Sequence, residues 1–195
     1  MKCFFKLILF TSLLGLNINL AHAKTLKAPK CLAGFCLDTK LPTQNNLHSH
    51  FGGQKKREYQ NDFSYCYKFV EKNKKISYGY FLFKDAAKRR LVTIRLSNAK
   101  ICEGISTKVS NSILATEKGL HLGSSETDTL MLYGTPTYNL QPATEDLLLD
   151  FFGKNSSEKA DKIYHYVDTT NAGYPSTRFY YLNNDVVGIE LSVDE

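Results

Sequence analysis

The sequence predicts an α+β fold in which two tandem modules each pack short helices on a small antiparallel sheet of about three strands. The first observation is that an ordered set of motifs occurs twice in the 195-residue chain. The motifs pair as Gly34-Phe35-Cys36-Leu37 with Gly119-Leu120-His121-Leu122, Phe51-Gly52 with Tyr133-Gly134, Tyr65-Cys66-Tyr67 with Tyr164-His165-Tyr166, and Leu91 to Ser97 with Val186 to Ser192. A period this long indicates a module duplicated within one chain. The second observation is that helix signals precede alternating strands in both halves.

The first 23 residues have the pattern of a signal peptide. Lys2 and Lys6 provide a positive start, the segment from Leu7 to Leu20 is mostly apolar, and Ala21-His22-Ala23 fits a small-residue cleavage site. We therefore expect residues 1–23 to be cleaved and the protein to be periplasmic or secreted. The apolar stretch is too short for a membrane helix, so we expect no transmembrane segment and a soluble mature protein.

Each module is predicted to begin with a short helix. In the first module, Pro42-Thr43 can open a helix that ends near Phe51, where Gly52-Gly53 permits the left-handed turn that stops it. In the second module, Ser125 is the expected N-cap of a helix from Glu126 to Tyr133.

Three strands are predicted to follow each helix, because their residues alternate with period two. The first module has them at residues 64–70, 78–83 and 91–97, and the second at 163–167, 177–182 and 186–193. The last two strands should form a hairpin through Asn183-Asn184-Asp185, which tolerates positive φ. Arg95 and Glu190 hold equivalent positions with opposite charge, which predicts two lobes facing each other around a pseudo-twofold axis.

The second module contains an additional helix, predicted for residues 144–152. Thr144 is its expected N-cap, and the apolar residues fall on one face at helical spacing: Leu147, Leu148, Phe151 and Phe152. Two interpretations stay open. The helix either covers its own sheet, or it offers Phe151 and Phe152 to a partner.

Four cysteines lie beyond the signal peptide, and they predict two disulfides in an oxidising compartment. The repeat aligns Cys36 with His121 and Cys66 with His165, so both cysteines change identity together. This favours pairing Cys36 with Cys66, which leaves Cys31 with Cys102. The alternative pairs Cys31 with Cys36 and Cys66 with Cys102.

The two modules, residues 24–110 and 111–195, differ in charge. Residues 24–118 contain 19 Lys and Arg against 7 acidic residues, which gives +12, whereas residues 119–195 contain 4 against 12, which gives −8. Much of the positive charge lies in three predicted turns, at Lys55-Lys56-Arg57, at Lys72 with Lys74-Lys75, and at Lys88-Arg89-Arg90. These are either solvated loops or a face that binds anionic envelope polymers. No nucleic acid is expected as a partner, because no nucleic-acid-binding motif accompanies the charge.

In the second module, Tyr164-x-Tyr166 and two predicted strands follow the segment Gly123-Ser124-Ser125-Glu126-Thr127-Asp128-Thr129-Leu130-Met131-Leu132-Tyr133-Gly134-Thr135-Pro136. This arrangement resembles the BamE (SmpA/OmlA) type of module. The same fold group includes beta-lactamase inhibitory protein, which is itself a tandem duplication. The resemblance implies short helical segments packed on a small antiparallel sheet, a Gram-negative periplasmic location and binding to other proteins. It transfers no binding residue to this chain.

The residues expected to contact a protein partner are aromatic: Tyr65, Tyr67, Tyr164, Tyr166, Phe151 and Phe152. Tyrosine supplies contact area at little entropy cost and keeps a polar tip. The alternative for the tyrosines is that half of them pack inward against the helices.

No residue pattern in the chain indicates catalysis. A glycine-rich phosphate loop, a Gly-x-Ser-x-Gly elbow and a His-Glu-x-x-His helix are all lacking in the sequence. His48 and His50, or His121 and His165, provide fewer ligands than a zinc site needs, so no metal and no cofactor are expected. We therefore predict a non-catalytic envelope protein that acts as an adaptor or inhibitor. The alternatives are a binder of anionic envelope polymers and an unrecognised hydrolase.

Overall fold

The protein is mostly β-structure, as a computed structural model shows for residues 28–37, 44–53, 57–60, 62–71, 74–84, 90–109, 114–153, 159–168 and 175–193. The predicted signal peptide lies outside the described residues. The helices are α1 (Gln44–Phe51), α2 (Glu126–Tyr133) and α3 (Glu145–Phe152). The strands are β1 (Cys31–Leu32), β2 (Phe35–Cys36), β3 (Arg57–Tyr59), β4 (Asp62–Val70), β5 (Ile76–Lys84), β6 (Arg90–Ser97), β7 (Ile105–Lys108), β8 (Tyr138–Leu140), β9 (Lys162–Val167), β10 (Pro175–Leu182) and β11 (Asp185–Val193).

One nine-stranded sheet contains strands from both halves of the chain, in the order β3-β4-β5-β6-β11-β10-β9-β8, with β7 pairing parallel to β4. The prediction of two modules, each with helices on its own small sheet, was therefore wrong. The reason is the pairing of β6 with β11, in which Arg95 lies directly opposite Glu190. In two separate sheets both strands would be edges with unpaired backbone groups, and pairing them removes both edges.

The predicted N-cap of α2 and the predicted β10–β11 hairpin are confirmed, whereas the predicted helix start at Pro42-Thr43 lies outside the described residues. Ser125 caps α2 by accepting from the Asp128 N–H at 3.1 Å, while the Asp128 carboxylate accepts from the Ser125 N–H at 2.9 Å. Strands β10 and β11 form the predicted hairpin, with Asn183 and Asn184 at positive φ. Helix α3 starts where expected, although the Thr144 side chain makes no cap hydrogen bond.

The main core lies on one face of the sheet, which we call the core face. Helices α1 and α2 and the β1–β2 hairpin supply buried side chains to it, including Phe51, Tyr133 and Phe35. The opposite face, which we call the α3 face, carries a second apolar cluster. There Phe151 stacks on Tyr180 with ring centroids 4.1 Å apart, and the cluster includes the buried side chains of Leu148, Phe152, Ala160, Ile163 and Val187.

The disulfides join Cys31 to Cys36 and Cys66 to Cys102. The favoured pairing of Cys36 with Cys66 was wrong, and the alternative is the one found. Cys36 belongs to the hairpin that packs on the core face, whereas Cys66 is in register with Tyr80 and Arg95, whose side chains lie on the α3 face. The sheet therefore separates Cys36 from Cys66, and their shared change of identity between the repeats does not reflect contact.

The close approach of α3 to the sheet depends on Gly188. A Cβ at this position would lie 2.7 Å from Cε1 and 2.9 Å from Cζ of Phe151, whose ring is held between Tyr180 and Phe152. We expect Gly188→Ala to lower the free energy of unfolding by about 1 to 3 kcal/mol, measured by urea denaturation, because the ring cannot move freely. Gly53→Ala is the control, since a Cβ there meets no atom within 4 Å. Equal stability of the two variants would contradict this account of the packing.

Candidate functional site

The six aromatic residues expected to contact a partner are all buried. Their exposed fractions are 0 % for Tyr65 and Tyr67, 4 % for Tyr164, 3 % for Tyr166, 2 % for Phe151 and 3 % for Phe152. The four tyrosines lie in the core-face cluster, and the two phenylalanines anchor α3 to the sheet. In this conformation a partner cannot reach these side chains, because the four tyrosines pack inward and Phe151 and Phe152 cover the sheet. Burial raises the pKa of Tyr67 and Tyr166 well above the ordinary value.

The histidines are placed apart from any cluster of metal-ligand residues. Among the described residues, no group of three or more His, Cys, Asp and Glu is arranged to hold a metal ion. Nδ1 of His121 lies 3.0 Å from the Leu122 carbonyl oxygen, and the His165 ring lies 5.6 Å from that of Tyr138. His48 and His50 pack edge-on against Tyr65 and Phe35 respectively.

A row of residues in direct register crosses the α3 face from one half of the sheet to the other. We call it the central row, and it consists of Cys66, Tyr80, Arg95, Glu190, Arg178, His165 and Tyr138. Directly opposed residues in an antiparallel sheet share a face, so these side chains are neighbours. The two positions that the repeat makes equivalent, Arg95 and Glu190, lie at the centre of the row.

The centre of the row is an alternating chain of charges. The Arg95 guanidinium donates to the Asp150 carboxylate of α3 at 2.6 Å and to the Asp150 carbonyl oxygen at 3.0 Å. Nε of Arg95 lies 3.1 Å from Oε2 of Glu190, and Arg178 donates to Oε1 of Glu190 at 2.9 Å. The Glu190 side chain is only 2 % exposed, so its charge is stabilised mainly by these two arginines.

The surroundings of Arg95 and Tyr180 raise the pKa of both side chains. Burial by itself lowers the pKa of Arg95, but the charges of Glu190 and Asp150 outweigh that effect and raise the pKa above its ordinary value. Burial, and then the charge of Glu190, raises the pKa of Tyr180 far above its usual range. Tyr180 donates a long hydrogen bond of 3.4 Å to Glu190. Arg95 and Tyr180 are therefore both protonated at neutral pH.

Beyond α3, the α3 face presents partly exposed side chains. Half-buried residues of the first half include Tyr78, Tyr80, Leu82, Thr93 and Arg95 together with the cations Lys68, Lys84 and Arg90, and those of the second half include Arg178, His165 and Val167. Tyr138, at the end of the row, is 55 % exposed. Tyr and Arg are enriched in protein interfaces, where they supply much of the binding energy. This part of the sheet is the candidate site.

The sequence contained only part of the signal for this site. The opposite charges at Arg95 and Glu190 indicated that the two positions face each other. Asp150, Arg178 and Tyr80 were missed, because nothing local to them shows that they come together across the sheet. The alternating pattern of β5 places Tyr78 and Tyr80 on one face, but it does not show which face is covered.

A second ionic cluster fixes the start of α2 to the sheet. Lys162 donates to Oε2 of Glu126 at 2.6 Å, and the Tyr164 hydroxyl donates a short hydrogen bond to Oε1. The hydrogen bonds from Lys162 and Tyr164 lower the pKa of Glu126 below its ordinary value of 4.5. Burial and the Glu126 carboxylate raise the pKa of Tyr164 to about 12.

Comparison with protein-family models, curated proteins and solved structures finds no match for this chain. The BamE-type resemblance therefore stays a prediction. No helix in the described part of the chain is long and apolar enough to cross a membrane.

Removing the Glu190 charge should destabilise the fold more than removing the Asp150 charge. Glu190→Gln leaves Arg95 and Arg178 close together without a carboxylate between them, and we expect a loss of about 3 kcal/mol or more in urea denaturation. Asp150→Asn is the matched control. Its side chain is 59 % exposed, so the expected loss is below about 1 kcal/mol. A larger effect from Asp150→Asn would show that the centre of the charge chain has been assigned incorrectly.

Glu126 should make stability depend on acid pH. Because its pKa is lower in the folded protein than the ordinary 4.5, its contribution is present above pH 4.5 and is lost as the pH falls through the folded value. We expect Glu126→Gln to be less stable than the wild type at pH 7, with the difference shrinking below about pH 4. Unfolding free energies measured at a series of pH values test this, and a difference independent of pH would contradict it.

Proposed function

We propose that this chain is an exported, non-catalytic binding protein of the bacterial envelope that recognises a protein partner through the α3 face. The observation that carries the proposal is the group of half-buried aromatic and arginine side chains on the α3 face. Tyr78 and Tyr80 occupy successive positions on one face of β5. Arg178 lies on the other side of the Arg95–Glu190 ion pair from these tyrosines. A broad sheet of this kind holds such side chains in fixed positions, which lowers the entropy cost of binding.

The paired charges of the site fit recognition of a specific protein partner better than nonspecific attraction to a charged polymer. The two arginines of the central row are paired with Glu190 and Asp150, so the ionic centre of the row has balanced charges, while Lys68 lies opposite Tyr78 at the side of the site. A balanced arrangement of charges favours a partner with complementary polar groups, because specificity comes from matching individual charges.

Export is supported by the cysteine chemistry. Two disulfides are compatible with a periplasmic or secreted location. The signal-peptide pattern of residues 1–23 supports the same location.

The two alternatives stay predictions. Binding of anionic envelope polymers relies on the basic turns, which lie partly outside the described residues. Of their described members, Arg57 donates to the Glu103 carbonyl oxygen at 2.8 Å. The hydrolase alternative lacks a specific observation in its favour.

Replacing Tyr78 and Tyr80 by Ala should weaken the partner complex. We expect the affinity to fall by at least roughly tenfold, measured by surface plasmon resonance with the partner recovered by cross-linking from an envelope extract, since two interface tyrosines are removed. Circular dichroism should show an unchanged fold.

Met131→Ala provides the matched control, because Met131 is 76 % exposed on α2, whereas the candidate site lies on the α3 face. Loss of binding with Met131→Ala and retention with the tyrosine variant would move the interface to α2. Retention on anionic polymers that declines with salt, without a protein partner, would favour the polymer alternative.

A further inference from the structure

The Cys31–Cys36 disulfide joins the two strands of the β1–β2 hairpin. Ala33 and Gly34 form the turn, with φ of 55° and 79°, and Cys31 is the direct register partner of Cys36. The intervening Leu32 and Phe35 alternate to the other side and are 0 % and 4 % exposed. Both cysteines are half-buried. A thiolate attacking from solvent therefore has access to this bond.

The Cys66–Cys102 disulfide lies in a different environment. Cys66 is 4 % exposed in the long strand β4. The backbone of Gly104 covers it so closely that a Cβ on Gly104 would lie 2.4 Å from the Cys66 carbonyl oxygen and 3.0 Å from its sulfur. Attack at the Cys66 sulfur therefore requires movement of the segment that precedes β7, whereas Cys102 is half-buried.

Several contacts hold the hairpin in place independently of its disulfide. The Ala33 N–H donates to the Ala115 carbonyl oxygen at 2.9 Å, and the Cys31 N–H donates to the Glu117 carboxylate at 3.1 Å. Thr177 donates to the Pro29 carbonyl oxygen at 2.9 Å. On the core face, the Phe35 ring packs against Phe51, Phe81 and His50 with centroids 5.5 to 5.6 Å away. Opening the disulfide leaves all of these interactions available.

The two disulfides also constrain the unfolded chain to different extents. Their sequence separations are 5 for Cys31–Cys36 and 36 for Cys66–Cys102. Loop-closure entropy grows with loop length. The factor by which the folding equilibrium constant falls should therefore be roughly 20-fold smaller when the short-loop disulfide is lost than when the long-loop disulfide is lost. The short disulfide therefore contributes less to the stability of the sheet.

We propose that Cys31–Cys36 is a thiol–disulfide exchange site, which a dithiol oxidoreductase opens and closes while Cys66–Cys102 stays oxidised and the sheet stays folded. A thiolate of the reductant attacks one sulfur of the pair, forming a mixed disulfide and releasing the other cysteine as a thiolate that takes up a proton. The second thiol of the reductant then resolves the mixed disulfide. Two electrons and two protons pass to the protein, and the reductant leaves as its own disulfide.

Graded reduction of the oxidised full chain tests the proposal. Samples equilibrated with increasing dithiothreitol are trapped with N-ethylmaleimide, and peptide mass spectrometry then measures alkylation at each cysteine. We expect Cys31 and Cys36 to be alkylated at a reductant concentration at least roughly tenfold below that for Cys66 and Cys102, with unchanged circular dichroism. Simultaneous opening of both disulfides, earlier opening of Cys66–Cys102, or loss of the β signal with the first opening would overturn the proposal.

Two sets of variants separate exchange from a structural role. Cys31→Ser combined with Cys36→Ser should keep the fold, whereas Cys66→Ser combined with Cys102→Ser should lower the melting temperature more. Cys36→Ser alone leaves the Cys31 thiol without its disulfide partner, and incubation with glutathione disulfide should convert Cys31 to the mixed disulfide in the folded protein. An unfolded Cys31→Ser/Cys36→Ser variant, or a folded Cys36→Ser variant that forms no adduct, would contradict the exchange role.

Discussion

The backbone ladder between β6 and β11 is the constraint on which the rest of the structure depends. It joins the strands of both halves into one sheet and makes that sheet wide enough to carry an apolar layer on each face. Without it, each half would present an unpaired edge strand of mostly buried residues, which is a site for aggregation. The helices are short because they cover a sheet that is already continuous, and each contributes only a few buried side chains.

The charges at the centre of this ladder follow from its near-symmetry. Around a local twofold axis between antiparallel strands, the residue at the axis faces its own equivalent. In a pair of identical modules that residue would oppose a like charge, which destabilises a cross-strand pair. Here the two equivalent positions are Arg95 and Glu190, and they form an ion pair. Asp150 and Arg178 extend the alternation on either side, so the charge pattern fits one arrangement of the two halves and opposes a shift in register.

Local features of the fold could be predicted from the sequence, and long-range ones could not. The Ser125 cap and the Asn183-Asn184 turn depend on residues within a few positions, so their chemistry is visible in the chain. The strand that pairs with β6 cannot be identified in this way, because β6 shows the same alternation whether it ends a sheet or continues one. The same limit applies to the site: alternation grouped Tyr65 with Tyr67, but only the packing of α1 against them shows that their face is the inner one.

The burial of the predicted aromatic residues has a consequence for recognition. Since the core takes up the tyrosines of β4 and β9, the proposed binding site consists of polar and aromatic side chains of the α3 face, and these are connected to the fold through Arg95. Its guanidinium contacts Glu190 and Asp150 and lies 5.6 Å from the centroid of the Phe151 ring. A partner that competes for Asp150 or Arg95 would therefore alter the position of α3 and the pairing of charges across the ladder. Arg95 would therefore couple the proposed binding to the stability of the fold, because the residues that hold the halves together also border the proposed interface.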